Sequence, residues 1–203
     1  MTRLNFRIYK QRADGTYRKS QLVNHSGPNP TLIKYVYFGT GFIISEFATS
    51  SGTIFGHSNA TGAEAVGAAA YFNTPAFGAS QPVLELFSSS GTTPILFDPT
   101  GNRLRTPDLR VDKPGLVVPD GVATTVPGFS NFFGTSAAAP HAAGVAALLL
   151  QNEPTLTPGK LYRSLENTAL DMGTAGFDNS SGYGLIQADA ALAAAPIKGL
   201  HGF

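Results

Sequence analysis

Ser136 stands in the stretch Phe132-Phe133-Gly134-Thr135-Ser136-Ala137-Ala138-Ala139-Pro140-His141, and small or apolar residues continue from it to Leu150. This pattern places the serine in the first turn of a helix. The first N–H groups of a helix lack intrahelical partners, and that end carries roughly half a positive charge. An oxygen that gains negative charge beside Ser136 is stabilised there, which is half of an oxyanion hole, and a hydroxyl held on a fixed helix is a candidate nucleophile. Gly134 supplies freedom for a sharp turn into the helix, Thr135 suits an N-cap, and Pro140 lies near enough to the helix start to be tolerated. The segment Gly144-Val145-Ala146-Ala147-Leu148-Leu149-Leu150 has no polar face, so the helix is expected in the middle of a domain. A Gly-Thr-Ser step before an Ala-rich run also suits a capped packing helix with no chemistry, and three residues do not separate the two readings.

His141 is the nearest histidine in sequence. Five residues along a helix amount to about 7.5 Å of rise and about 140° of rotation, so its ring points away from Ser136. It is read as a structural histidine that hydrogen-bonds within the core. His25 lies in a Gly/Pro loop without a second ligand at metal spacing and is read as solvated, and Asp14-Gly15 is read as a hairpin turn. Asp98, Asp171 and Asp178 are read as local caps, and no metal site is expected.

The elements that must position the serine follow from the rest of the chain. With 203 residues there is room for one sizeable core, or a core plus part of a second unit. A net charge of +1 with 13% charged residues leaves no electrostatic footprint for nucleic acid or a membrane surface. The lack of cysteine excludes disulfides and thiolate metal sites. No apolar run reaches the length of about 18 residues that a spanning helix needs. The N-terminus runs straight into an alternating strand pattern rather than a signal peptide, which suggests an excised piece.

Residues 1–52 read as β-structure, with two hairpins built from strands near 4–8, up to 23, 32–38 and 42–47. Four such strands cannot bury one apolar face alone, so a partial, insertion-like β-sandwich is expected. Ser50-Ser51-Gly52 reads as a linker to a second unit, 53–203. There, Ala65 to Ala70 has the short apolar character of a buried parallel strand. Phe97-Asp98-Pro99-Thr100-Gly101-Asn102 is a turn between short strands. Thr157-Pro158 opens a helix with Leu161, Leu165 and Ala169 on one face, and an Ala-rich helix ends at Pro196.

The run from Gly134 to Gly144 resembles, almost position for position, the nucleophile motif of the subtilisin-like serine peptidases, the subtilases. It is not the G-x-S-x-G elbow of the α/β-hydrolases, because position 138 is Ala. Further segments resemble the same family in its order, from about residue 53 to 195. Val66-Gly67-Ala68 and Phe87-Ser88-Ser89-Ser90-Gly91 are similar to a strand and loop that precede the serine. Lys113-Pro114-Gly115 through Gly121 is similar to Lys-Pro-Asp followed by a strand and Ala-Pro-Gly, with Gly115 replacing Asp and Asp120 intervening before Gly121. Leu165-Glu166-Asn167-Thr168-Ala169 and Gly182-Tyr183-Gly184-Leu185-Ile186 resemble the later landmarks.

The resemblance implies the C-terminal part of a three-layer α/β domain with parallel strands and a buried central helix. It implies a serine endopeptidase in which Ser136 attacks a peptide carbonyl and its N–H helps to hold the oxyanion, supported by Gly134, Thr135, Pro140 and His141. The family's histidine motif is His-Gly-Thr, whereas His57 is followed by Ser58-Asn59, so His57 is expected to position groups near the cleft rather than act as the base. The aspartate and histidine motifs and the oxyanion asparagine are expected upstream, and the chain alone is expected to be inactive. The implied partners are a polypeptide substrate and the N-terminal part of the same peptidase. Calcium is common in the family, but no clustered oxygen ligands are found here, and no other cofactor is implied. Secretion is the family's expectation for location. A non-catalytic, peptide- or partner-binding form of the fold remains the alternative, and an adhesive β-module would leave the serine motif unexplained.

Overall fold

A computed structural model describes residues 51–195 throughout and, before them, the backbone of three strands. The chain divides into two compact units, residues 1–50 and 51–203.

In the first unit β1 (Arg3–Gln11) pairs antiparallel with β2 (Tyr17–Val23) and with β3 (Phe42–Ile44), giving the order β2-β1-β3. The antiparallel pairing of β1 with β2 corresponds to the expected first hairpin. Phe42–Ile44 pairs with β1, Ile8 opposite Ile44, and the rest of the expected second hairpin lies outside the described residues. The strand expected at 32–38 and the histidine at 25 lie outside the described residues.

The second unit is built on a parallel pair, β4 (Val66–Ala70) with β7 (Leu116–Asp120), in register from Val66 opposite Leu116 to Ala70 opposite Asp120. Side chains alternate across a strand, and here each face has its own core. Ala68, Leu116 and Val118 pack with Ala138, Leu149, Leu161, Leu165, Ile186 and Ala191, whereas Ala69 and Val117 pack with Met172 and Leu185. The apolar run on both strands is thus explained by burial on both sides.

Two antiparallel pairs and three helices make up the rest of the unit. β5 (Thr93–Phe97) and β6 (Arg103–Arg110) form an antiparallel hairpin, and β8 (Val122–Ala123) pairs with β9 (Asn131–Phe132). The β5–β6 turn is held by Asp98, whose Oδ1 accepts the N–H groups of Thr100 (2.9 Å) and Asn102 (2.8 Å). Helices α1 (Thr135–Asn152), α2 (Pro158–Glu166) and α3 (Ala188–Ala194) follow. Pro158 begins α2 as expected, although Thr157 makes no side-chain cap bond. The expected stop at Pro196 lies outside the described residues.

The free edges of the parallel pair are satisfied by loops. The N–H of Ala68 donates to Ser88 Oγ (2.9 Å) and its carbonyl accepts the Glu85 N–H (2.8 Å). On the other edge, Val117 N–H donates to Gly184 O (2.8 Å) and Val117 O accepts from Ile186 N–H (2.9 Å). Gly184 has φ +112°, and a Cβ there would overlap the Leu170 carbonyl. Only glycine allows that approach.

The central helix departs from expectation in one respect. Ala138, Ala142, Val145 and Leu149, spaced at three and four residues, face the core. The opposite face, from Pro140 and Gly144 to Leu148 (48% exposed), is open rather than buried. An all-apolar sequence shows that a helix has no committed polar face, but only the neighbouring layers decide how many of its faces are covered.

Candidate active site

Gly134 is the residue that turns the chain into α1, with φ 143° and ψ 157°, a conformation that L side chains rarely adopt. Its carbonyl accepts the N–H groups of Ala137 (2.8 Å) and Ala138 (3.1 Å), so the backbone of Gly134 opens the helix. Thr135 was expected as the cap. It is instead the first helical residue, and no side chain caps this end. The glycine outcompetes it because its backbone alone can make the sharp turn.

Ser136 is therefore the second residue of α1, and it is exposed. Among the described residues its N–H and its hydroxyl have no hydrogen-bond partner. Pro140, inside the helix, supplies no N–H to the carbonyl of Ser136, yet the helix continues to Asn152. The turn thus presents a hydroxyl and an uncommitted amide side by side at the positive end of an 18-residue helix.

The end of β7 grips this turn at three consecutive residues. Pro119 O lies 2.7 Å from Nδ1 of His141, Asp120 Oδ2 accepts the Gly134 N–H at 2.6 Å, and Gly121 N–H donates to Phe132 O at 3.1 Å. His141 does hydrogen-bond to the backbone, as expected, but its ring is exposed rather than in the core. Asp120 is 1% exposed, and its Oδ1 has no partner among the described residues. The sequence showed Asp120 only as a departure from a motif. An acid between a buried strand and a glycine, just upstream of the serine motif, was the available signal.

His57 lies in a short 3-10 turn, Gly56–Asn59, and is exposed. Its ring has no hydrogen-bond partner among the described residues, and the structure does not bring it into contact with Ser136. Arg110 secures this turn, with Nε donating to Asn59 O (3.0 Å) and a terminal nitrogen to Thr61 Oγ1 (2.9 Å), while it also pairs with Asp108.

A second charged group lies behind the strand β7. Glu64 fills the space left open by Gly115, where any Cβ would overlap its carboxyl. Burial pushes its pKa up to about 7, the nearby Glu166 and Asp112 add to this, and Lys113 opposes it. Lys113 is itself buried and donates to the carbonyl of Ala63. Asp178 accepts the N–H groups of Ser180 (2.7 Å) and Ser181 (2.9 Å), and Asp171 accepts the Gly176 N–H (3.1 Å), so both act as loop caps. Among the described residues no group of three or more histidine, aspartate or glutamate side chains is placed to hold a metal ion. A cavity of about 460 Å³ lined by Glu153, Leu156, Lys160, Arg163 and Thr168 includes no residue of the serine motif.

A parallel strand pair packed against helices, with a serine at the exposed start of the longest helix, defines an α/β unit. The family model of the subtilase family matches residues 50–184, more than half of the chain, and the chain belongs to that family. Fervidolysin from Fervidobacterium pennivorans is 48% identical over 64 residues, 32% of this chain and 9% of fervidolysin. The extracellular serine protease of Serratia marcescens is 45% identical over 60 residues, 30% of this chain and 6% of that protein. The crystal structure of fervidolysin, described as a keratinolytic enzyme related to subtilisin, is 27% identical. It matches 67% of this chain and 19% of that one with a TM-score of 0.41. The matched regions thus span less than a tenth of these two curated relatives. No helix among the described residues is long and apolar enough to cross a membrane.

Proposed function

We propose that this chain carries the nucleophile of a serine endopeptidase. The observation that carries the reading is the pairing, on one exposed helical turn, of a free Ser136 hydroxyl with a free Ser136 amide. In the proposed reaction Ser136 Oγ adds to the carbonyl carbon of a peptide bond while its proton passes to a histidine. The tetrahedral oxygen accepts the Ser136 N–H, and collapse expels the amine, which takes the proton. Water then attacks the acyl-enzyme by the same route and releases the acid.

Among the described residues neither His57 nor His141 is bonded to Ser136, and following the order of the family's motifs the base and the aspartate that orients it are assigned to a part of the whole protein upstream of this chain. A serine hydroxyl without a base is a weak nucleophile, and the isolated chain is accordingly inactive in this proposal. The substrate is a polypeptide, and the whole protein acts outside the cytoplasm, as the name of the Serratia relative states for that enzyme. The first unit is read as an insertion of β-sandwich type.

Fluorophosphonate labelling tests the reading, with the whole protein and this chain compared, each with and without Ser136→Ala. Labelling of the whole protein alone, abolished by Ser136→Ala, is the expected result. Labelling of this short chain would place the base within it, with His57 the first residue to replace. A folded whole protein that does not label would replace this reading with a non-catalytic, peptide- or partner-binding one.

A further inference from the structure

We propose that Asp120 is a positioning residue for Ser136, acting through the amide of Gly134. The proposal deepens the peptidase reading and rests on it for its kinetic consequence, but the anchoring contact can be tested without activity.

The geometry is specific. Asp120 is 1% exposed, and Oδ2 lies 2.6 Å from the Gly134 nitrogen. Its strand β7 is held in the core by Leu116, Val117 and Val118, all 0% exposed, so the carboxyl sits at the end of a fully buried strand. Gly134 is two residues before Ser136, at φ 143°. A glycine has many competing conformations, and nothing in its own structure selects this one. A bond from a buried carboxylate to its N–H does select it, and an ionised acceptor makes such a bond about twice as strong as a neutral one.

The contact leaves the Ser136 amide free. Because the carboxylate engages Gly134 instead, it fixes the turn without occupying the donor that an oxyanion would need. Purely structural demands do not explain the choice of an acid. Burying a carboxylate is costly unless its oxygens are satisfied, and Oδ1 of Asp120 has no partner among the described residues. An apolar residue would fill this buried position at lower cost. What it could not supply is an acceptor that fixes the glycine. Displacement of a reacting group by about 1 Å can cost on the order of a hundredfold in rate, which is the scale on which such an anchor matters.

The experiment uses the whole protein, unaltered and with Asp120→Ala or Asp120→Asn. Asparagine can keep an oxygen on the Gly134 N–H, whereas alanine cannot. The expected result is that Asp120→Ala slows fluorophosphonate labelling of Ser136 and lowers kcat on a peptide substrate by about tenfold or more, with KM little changed. Asp120→Asn should recover most of that loss. Equal labelling and kcat in a folded Asp120→Ala protein would overturn the proposal, as would a loss confined to KM.

Hydrogen exchange at the Gly134 amide supplies the second measurement. Slow exchange in the unaltered protein is expected, kept in Asp120→Asn. Exchange at the rate of an unstructured chain would overturn the proposal even if Asp120→Ala fails to fold. If the unaltered protein does not label at all, the peptidase reading falls, whereas the Gly134 amide still decides whether Asp120 anchors the turn.

Discussion

Nδ1 of His141 lies 2.7 Å from the carbonyl oxygen of Pro119. A carbonyl can only accept, so Nδ1 carries the proton and Nε2 is left without one when the ring is neutral. The contact ties the second turn of α1 to the end of β7, at the residue next to Asp120. It also gives the motif histidine a clear task, since its ring is committed to the backbone and is not available to the serine. Replacing His141 with alanine should lower stability by about 1 kcal/mol, the usual worth of one hydrogen bond, as read from urea unfolding. Unchanged stability would show that the bond is not maintained in solution.

The two faces of α1 predict opposite responses to the same kind of truncation. Leu149 is 0% exposed in the main core, whereas Leu148 is 48% exposed. In this chain, Leu149→Ala should cost about 2–5 kcal/mol, and Leu148→Ala well under half of that. Denaturant titration of the two variants checks the difference. If in the whole protein Leu148→Ala becomes as costly as Leu149→Ala, another layer covers the outer face there.

Glu64 makes stability depend on pH near neutrality. Burial raises its folded pKa from 4.5 to about 7, so between these values the folded state binds more proton than the unfolded chain. Its contribution is therefore fully present below about pH 4.5 and is lost as the pH rises through about 7. The shift corresponds to a loss of roughly 3 kcal/mol across that window, and Glu64→Gln should remove this part of the slope. Urea midpoints measured at intervals from pH 4.5 to 8 test this. A slope that survives Glu64→Gln unchanged would assign the effect to other groups such as Glu166, which burial also raises.

Gly184 should tolerate no side chain. A Cβ at that position would overlap the Leu170 carbonyl and come within 2.9 Å of Asp171 Cα, and its φ of +112° is unfavourable for alanine. Both the clash and the backbone strain act on the segment that completes the edge of β7. Gly184→Ala is expected to cost about 3 kcal/mol or more, measured by thermal or urea unfolding. A near-neutral effect would mean that the loop can move away from β7 without loss of the core.

Much of the second unit was legible because its signals are local. Ala65 to Ala70 is apolar at every second and every intervening position, and the buried parallel strand Val66–Ala70 follows from that. Pro158, with Leu161 and Leu165 one turn apart, marked α2 and its buried face. The run from Gly134 to Leu150 likewise marked a helix with Ser136 in its first turn. Residue type suggests a side-chain cap at Thr135, whereas the φ of Gly134 lets its backbone open the helix instead.

The sequence by itself marked the buried strand Val66–Ala70, helices α1 and α2, the family and the position of the serine, since each depends on residues close together in the chain. Only the tertiary structure decided that α1 is covered on one face and open on the other, that His141 is exposed on Pro119, and that Asp120 reaches Gly134 across 14 positions. Those outcomes depend on which strand ends beside which helical turn. Contacts between distant residues are selected by the packing of the whole unit, and no local periodicity records them.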